Sequence, residues 1–316
     1  MDTASSPQPT IISPTGETLA PRPRSMAREA WDRLARRKLS LVCLAVVVLY
    51  VAIGLLGFTP LLASHIGDRV GTSYQPPTIA NPALWLGADI QGRSVLWRLL
   101  YGARTAMILT VSASAITILL GTFFGVVAGY FGGWIDDLII WLFSTVSSIP
   151  WILLVIALTF VLKLNAPVYN LIGDLGCVIV ALGLTDWVGL CRLIRGEVIK
   201  LRDRDYVVAA RAVGMGNTRI ILRHIVPNVF HIIIITFSLG AVGYVQAEVA
   251  LSFLGLGISQ RPSWGRMIDD AKLELLRGVW WQLAAASLAI FFLCLALNLL
   301  GDRLRDAMDP RLRGVD

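Results

Sequence analysis

The sequence has little charge and few reactive groups. Only 16% of its 316 residues are Asp, Glu, Lys or Arg, while 56% are apolar, which is more apolar surface than one soluble domain normally hides. The four cysteines, Cys43, Cys177, Cys191 and Cys294, lie in or beside apolar stretches with no C-x-x-C spacing. They form neither a disulfide framework nor a metal site, and read as small packing residues. The three histidines, His65, His224 and His231, are scattered. No H-E-x-x-H, G-x-S-x-G or G-x-x-x-x-G-K-[ST] pattern occurs, so the usual signatures of a metalloprotease, a serine hydrolase and a P-loop ATPase are missing. Any ATP used must be hydrolysed by another chain.

What is present is a series of long apolar runs. Residues 1–25 are rich in Pro, Ser and Thr and read as disordered. Arg28, Arg33, Arg36, Arg37 and Lys38 then lead into Leu39 to Gly57, about 29 Å of helix at 1.5 Å per residue and enough to cross a bilayer core. A signal peptide has a shorter apolar region and a cleavage site, so this run is expected to be a retained first helix. Further spans read at Thr105–Tyr130, Ile135–Leu162, Asn228–Leu251 and Val279–Leu300, with a weaker one at Leu171–Leu190 bracketed by Asp174 and Asp186.

Charge placement sets the expected topology. Acidic residues number 21 against 28 basic, and the basic ones cluster at the N-terminal segment, at Arg192 to Arg223, and in the tail with Arg303, Arg305, Arg311 and Arg313. Six spans bring all three clusters to one side, whereas dropping the Leu171–Leu190 span would export the second. The positive-inside rule therefore predicts an all-α membrane protein of six spans with both ends inside, and leaves no need for a nucleic-acid partner. The organisation expected is a cytoplasmic tail over 1–38, a first span over 39–57, an extracytoplasmic loop over 58–104, a core over 105–301 containing an inward loop at about 191–227, and a cytoplasmic tail over 302–316.

Within this frame several features invite two readings. Ala113, Thr117, Gly121, Gly125 and Gly129 place a small residue at every fourth position of the second span, suiting close helix approach within the chain or to another subunit. Pro150 is expected to free the carbonyl of Val146 in the third span, where Ser144, Thr145, Ser147 and Ser148 offer hydroxyls. This is either a kinked, polar-lined helix beside a pathway or a packing kink. Val95, Leu96, Leu99 and Leu100, with Arg93 and Arg98 beside them, suit a helix lying on the membrane surface. Trp264, Trp280 and Trp281 suit interfacial anchors or contact with an external delivery protein.

The inward loop reads Tyr206-Val207-Val208-Ala209-Ala210-Arg211-Ala212-Val213-Gly214 and continues to Pro227. It predicts a short helix ended by Gly214. Taken alone, it could be a solvated connection or a helix that sits in a groove of a soluble partner. The loop resembles the EAA motif of ABC importer permeases, matching at Ala209, Ala210, Gly214 and Pro227, with Val208 where the family commonly has Glu and Val226 for its usual Leu. Leu86-Gly87-Ala88-Asp89-Ile90-Gln91-Gly92-Arg93 with Gly102-Ala103-Arg104, Leu251 to Gly257 with Ser252 and Gly255, Ser263-Trp264-Gly265, and Asn298 to Asp306 with Asp309-Pro310-Arg311 resemble signatures of the C-type subunits of dipeptide, oligopeptide and nickel importers.

That resemblance implies a type I ABC importer permease fold and a transporter subunit that is not an enzyme by itself. It implies a homologous second permease subunit, two ABC ATPase subunits carrying ATP and Mg, and an extracytoplasmic binding protein, all at the bacterial inner membrane. This chain binds no cofactor in that reading. Tyr206, Ala209, Ala210, Arg211, Gly214 and Pro227 would couple it to the ATPases. The cargo would be peptide-like, with nickel chelates, glutathione and opines as alternatives. A secondary transporter, with Glu248 as its ionisable group, and a membrane enzyme are the rival classes.

Overall fold

The computed structural model describes residues 38–308. The expected disordered start, the basic residues Arg28 to Arg37 and the stretch from Asp309 lie outside them. The described residues are helical apart from loops and two isolated backbone bridges, Arg69 with Arg93 and Ala88 with Ser94. The principal helices are α1 (Lys38–Leu56), α2 (Val95–Phe131), α3 (Gly133–Ser147), α4 (Trp151–Leu164), α5 (Ala166–Arg202), α6 (Asp205–Ala212), α7 (Val226–Phe253), α8 (Trp264–Leu275) and α9 (Trp281–Met308).

Five helical stretches among the described residues, namely α1, α2, α5, the run ending in α7, and α9, are long and apolar enough to cross a membrane. Their outward apolar side chains, such as Leu49 and Leu55 on α1 and Leu119 and Phe123 on α2, are exposed, as expected where the solvent is lipid. α3 and α4 together also qualify, but they meet at 87°.

Two expectations about helix ends change. The segment from Val95 is not a separate surface helix: it is the start of α2, begun where the Ser94 hydroxyl accepts the Trp97 N–H at 3.2 Å. At 37 residues, α2 is about 56 Å long, so its first turns stand clear of the apolar layer. Likewise Arg192 to Arg202 extend α5 rather than opening the loop. α5 is itself broken at Gly173, whose φ of 65° and ψ of −176° no helix accommodates.

The small-residue stripe is used within the chain. A Cβ on Gly121 would stand 2.9 Å from Leu190 Cβ, one on Gly125 would stand 2.8 Å from the Cys191 carbonyl oxygen, and one on Gly129 would stand 2.8 Å from that of Arg195. α2 and α5 thus touch backbone to side chain along their length, while Ala113 and Thr117 are buried between α2 and its neighbours. The four cysteines are free and buried.

Polar contacts mark two ends of the bundle. At one end, Arg195 of α5 grips Asp136 of α3 through two bonds of 2.5 and 2.7 Å, and Arg202 donates to the Gly129 carbonyl at 3.3 Å. At the other, Lys163 of α4 donates to the Gly257 carbonyl at 2.6 Å and pairs with Asp174 at 3.1 Å. Asp174 also accepts the backbone N–H of Ser259 at 3.0 Å and its hydroxyl proton. α3 starts at the first end and α4 finishes at the second.

Candidate functional site

The loop between α5 and α7 lies at the first end. α6 buries Val207 and Ala210, one turn apart, against Val126, Ile220 and Ile225, while Tyr206, Val208, Ala209 and Arg211 are exposed. The burial of two small or branched apolar residues fixes how the helix lies, and leaves the opposite face free. Gly214 ends it in a Schellman turn: the Met215 N–H reaches back to the Ala210 carbonyl at 3.1 Å and the Gly214 N–H to that of Arg211 at 3.0 Å. A φ of 81° makes glycine the natural residue there. Nothing lies within 4 Å of a Cβ built on Gly214, so the turn projects into open space.

The rest of the loop is tied to the bundle. Tyr130 of α2 donates to Asn217 Oδ1 at 3.0 Å, and Arg211 lies over the Tyr130 ring at 5.8 Å. Residues Ile221–Ile225 form a wide π turn, and Pro227 follows it inside the helical run Asn217–Phe253, where its missing N–H falls beside the turn that already opens the ladder. Tyr206 meets this corner, its hydroxyl 3.5 Å from Asn228 Nδ2 and its ring 6.1 Å from that of His224. The expected coupling residues Tyr206, Ala209, Ala210, Arg211 and Gly214 therefore share one helix-turn unit, and Pro227 sits at the root of α7 beside it.

The serines of the third apolar run are arranged differently from expectation. Pro150 does not kink a continuous helix but caps a new one, with ψ of 124°, and the Val146 carbonyl is not left free, since the Ile149 N–H reaches it at 3.4 Å. Ser144, Ser147, Ser148 and Pro150 are all exposed at this corner. The Ser148 hydroxyl donates to the Thr145 carbonyl at 2.7 Å, while Ser147 accepts from Arg192 at 2.8 Å.

At the second end, short stretches far apart in sequence fold onto one another. Asp89 is fully buried. Its Oδ1 accepts the N–H groups of Gln91 and Arg93, and its Oδ2 accepts from Arg93 Nε at 2.8 Å and Arg98 Nη1 at 2.7 Å. Arg98 continues to Gln282 of α9 at 3.2 Å and to Asp270 of α8 at 3.0 Å. Glu248, buried near the end of α7, accepts the hydroxyls of Ser252 and Ser263 at 2.8 and 2.7 Å and the Gly265 N–H at 3.2 Å. Trp264 donates to the Leu99 carbonyl at 2.9 Å, and Trp281 to that of Ala88 at 3.1 Å. The Trp264 ring is held inside the protein rather than at its rim and that of Trp281 is half-buried, whereas Trp280 is exposed.

Glu274 completes this end, accepting the Ile90 N–H at 3.3 Å while 2% exposed. Burial pushes its carboxyl above the usual range, opposed by that N–H bond. Asp89, Gly92, Arg93, Ser252, Gly255 and Trp264 thus belong to a single assembly or its immediate turns. Sequence reasoning missed Asp270, Gln282 and Glu274, which carry no spacing signal, and placed Arg98 on a membrane surface although it is 3% exposed.

Comparison with known proteins gives consistent matches. The family model for the binding-protein-dependent transport system inner membrane component covers residues 121–314, and that for the N-terminal TM domain of oligopeptide transport permease C covers residues 25–77. A dipeptide transport system permease protein of Bacillus subtilis is 37% identical over 92% of this chain and 87% of its own. An oligopeptide transport system permease protein of Haemophilus influenzae is 32% identical, covering 92% and 90%, and a glutathione transport system permease protein of Pectobacterium atrosepticum is 31% identical, covering 92% and 93%. Its long apolar helices and these matches over most of its length make the chain a multi-pass inner-membrane protein that belongs to the family of binding-protein-dependent transport system inner membrane components.

Proposed function

We propose that the chain is one of two homologous permease subunits of an ABC importer for peptide-like solutes, with ATP and Mg held by two partner ATPase subunits and cargo delivered by an extracytoplasmic binding protein. The names of its relatives support the cargo class, since dipeptide, oligopeptide and glutathione permeases all carry short peptides or a peptide derivative by name. Six spans follow if α3 and α4 are one broken crossing, a reading supported by the Asp136–Arg195 pair at one end and the Lys163–Asp174 pair at the other. Six crossings put both chain ends on the side of the basic α5–α7 loop, which is the cytoplasmic side by the positive-inside rule.

The observation that carries the coupling role is the exposed face of α6 running into the open turn at Gly214. A short rigid helix, fixed behind by Val207 and Ala210 and small in front at Ala209, fits a groove of an ATPase without an acidic residue at Val208. Closure of the ATPases would move α6, and through Tyr130 and Asn228 the ends of α2 and α7, as a coupling free energy that acts in both directions.

Gly214→Asp tests this. No span is altered, so membrane insertion is expected to stay normal, while uptake is abolished. Loss of the ATPase subunits on purification would locate the fault in docking, and retained subunits that hydrolyse ATP without uptake would locate it in transmission. An exposed change of no functional consequence costs under ~0.5 kcal/mol, so near-normal uptake at normal expression would remove the loop from the mechanism.

A further inference from the structure

We propose that Asp186 is a solute-contacting residue of the membrane path, its carboxylate receiving the positively charged amino group of the cargo, with Tyr244 and Thr117 as its positioning residues; this rests on the peptide-like cargo read above. Asp186 lies deep in α5, about 18 Å beyond Asp174 and about 24 Å short of Arg202 at 1.5 Å per residue. A charge at that depth is costly unless it meets water, a counter-ion or a charged solute, and such residues mark pathways.

The surroundings of Asp186 hold it without neutralising it. The Tyr244 hydroxyl of α7 donates to Oδ2 at 2.7 Å and lies 3.0 Å from Thr117 Oγ1 of α2, and both of these partners are 2% exposed. Three spans thus meet at the Tyr244 hydroxyl, which carries the contact to the carboxylate. Among the described residues Asp186 takes part in no ion pair, and its Oδ1 receives no protein donor. A half-buried carboxylate oriented by a neutral donor, with one oxygen that takes no bond from the described residues, is set up to accept from a cation outside the chain.

The surface around it has room for one. Gly189 and Gly196 follow Asp186 along the same side of α5, and Gly243 adjoins Tyr244. A Cβ on any of these three would meet nothing within 4 Å. This contrasts with Gly121 and Gly125 of α2, whose missing side chains are filled by α5. The positions of Gly189 and Gly196 beside Asp186 are therefore unfilled within the chain, with Leu193 standing exposed between them.

The test uses the complete importer, reconstituted in proteoliposomes from a background in which the four cysteines are replaced. Uptake of a dipeptide with a free amino terminus is compared with its N-acetylated form. Asp186→Asn is expected to lower free-amine uptake by about tenfold or more, the worth of a lost charge-assisted bond, and to leave acetylated uptake unchanged. Asp186→Glu should keep the preference, and Tyr244→Phe should weaken it. A second readout does not depend on cargo: in Gly189→Cys, a cationic thiol reagent should react faster than an anionic one of equal size, and adding Asp186→Asn should remove the difference. Failure of both dipeptides to enter, with that charge preference intact, would refute the peptide reading and keep Asp186 as a cation contact of the path. Equal loss for both dipeptides, no charge preference at position 189, or loss of the second permease subunit from Asp186→Asn complexes would overturn the proposal, the last outcome marking an ion pair between subunits.

Discussion

Arg98 illustrates how a buried charge is made tolerable. Its guanidinium reaches Asp89, Asp270 and Gln282 from α2, so the loop before α2, α8 and α9 are fastened through one side chain. Asp89 has no exposed surface and keeps Arg93 as a second cation, while the half-buried Asp270 also pairs with Arg266 at 3.0 Å. Arg98→Met keeps the length of the side chain and removes the charge. It is expected to destabilise the protein by about 2 kcal/mol, below the ~3–5 kcal/mol of a stranded buried charge because Arg93 and Arg266 remain, seen as a lower midpoint of thermal aggregation in detergent. Replacing the exposed Arg277 by Met serves as the comparison and should change little. Among these residues only Asp89 and Arg93 announced themselves, because they fall in one short stretch. Asp270 is one of several charged residues within the short helix α8 and Gln282 lies at the start of α9, and their partners are settled by three-dimensional approach.

At the scale of helices, the apolar runs located the spans because a bilayer demands about 20 apolar residues wherever a helix crosses it. Their ends were less legible. α2 begins ten residues before the apolar run because Ser94 caps it there, and helix propensity continues outside the membrane where hydropathy does not. The third run concealed a break of 87°, since Ser148 and Pro150 disrupt a helix without making the stretch less apolar. The α2 stripe was open to two readings, and the packing of Gly121, Gly125 and Gly129 on α5 settles it as an internal contact. Gly125→Val should therefore destabilise the isolated chain by about 3 kcal/mol, the upper end of overpacking costs. The check is thermal stability of the chain purified without partners. A normal midpoint there, with loss only in the assembled complex, would assign the stripe to a subunit contact.

At the scale of the whole molecule, α2, α5 and α7 run between two differently built ends. One end presents a small exposed helix and an open glycine turn; the other is a locked assembly of Asp89, Arg98, Glu248 and Trp264. These three helices, which are joined midway by Thr117, Asp186 and Tyr244, connect the two ends beside the α3–α4 pair. The family resemblance made both ends visible in the sequence as motifs, but as separate ones. That the Leu86, Leu251 and Ser263 stretches form one assembly follows from packing over separations such as the 165 residues between Leu99 and Trp264. The central claim, that this chain moves solute by ATP hydrolysis in partner subunits, is tested most directly by dipeptide uptake into proteoliposomes containing it together with those subunits and the binding protein. The account predicts uptake that requires ATP and the ATPase subunits and persists when an ionophore collapses the proton gradient. Uptake that continues without ATP and stops with the ionophore would contradict it, and would make the chain an ion-coupled carrier.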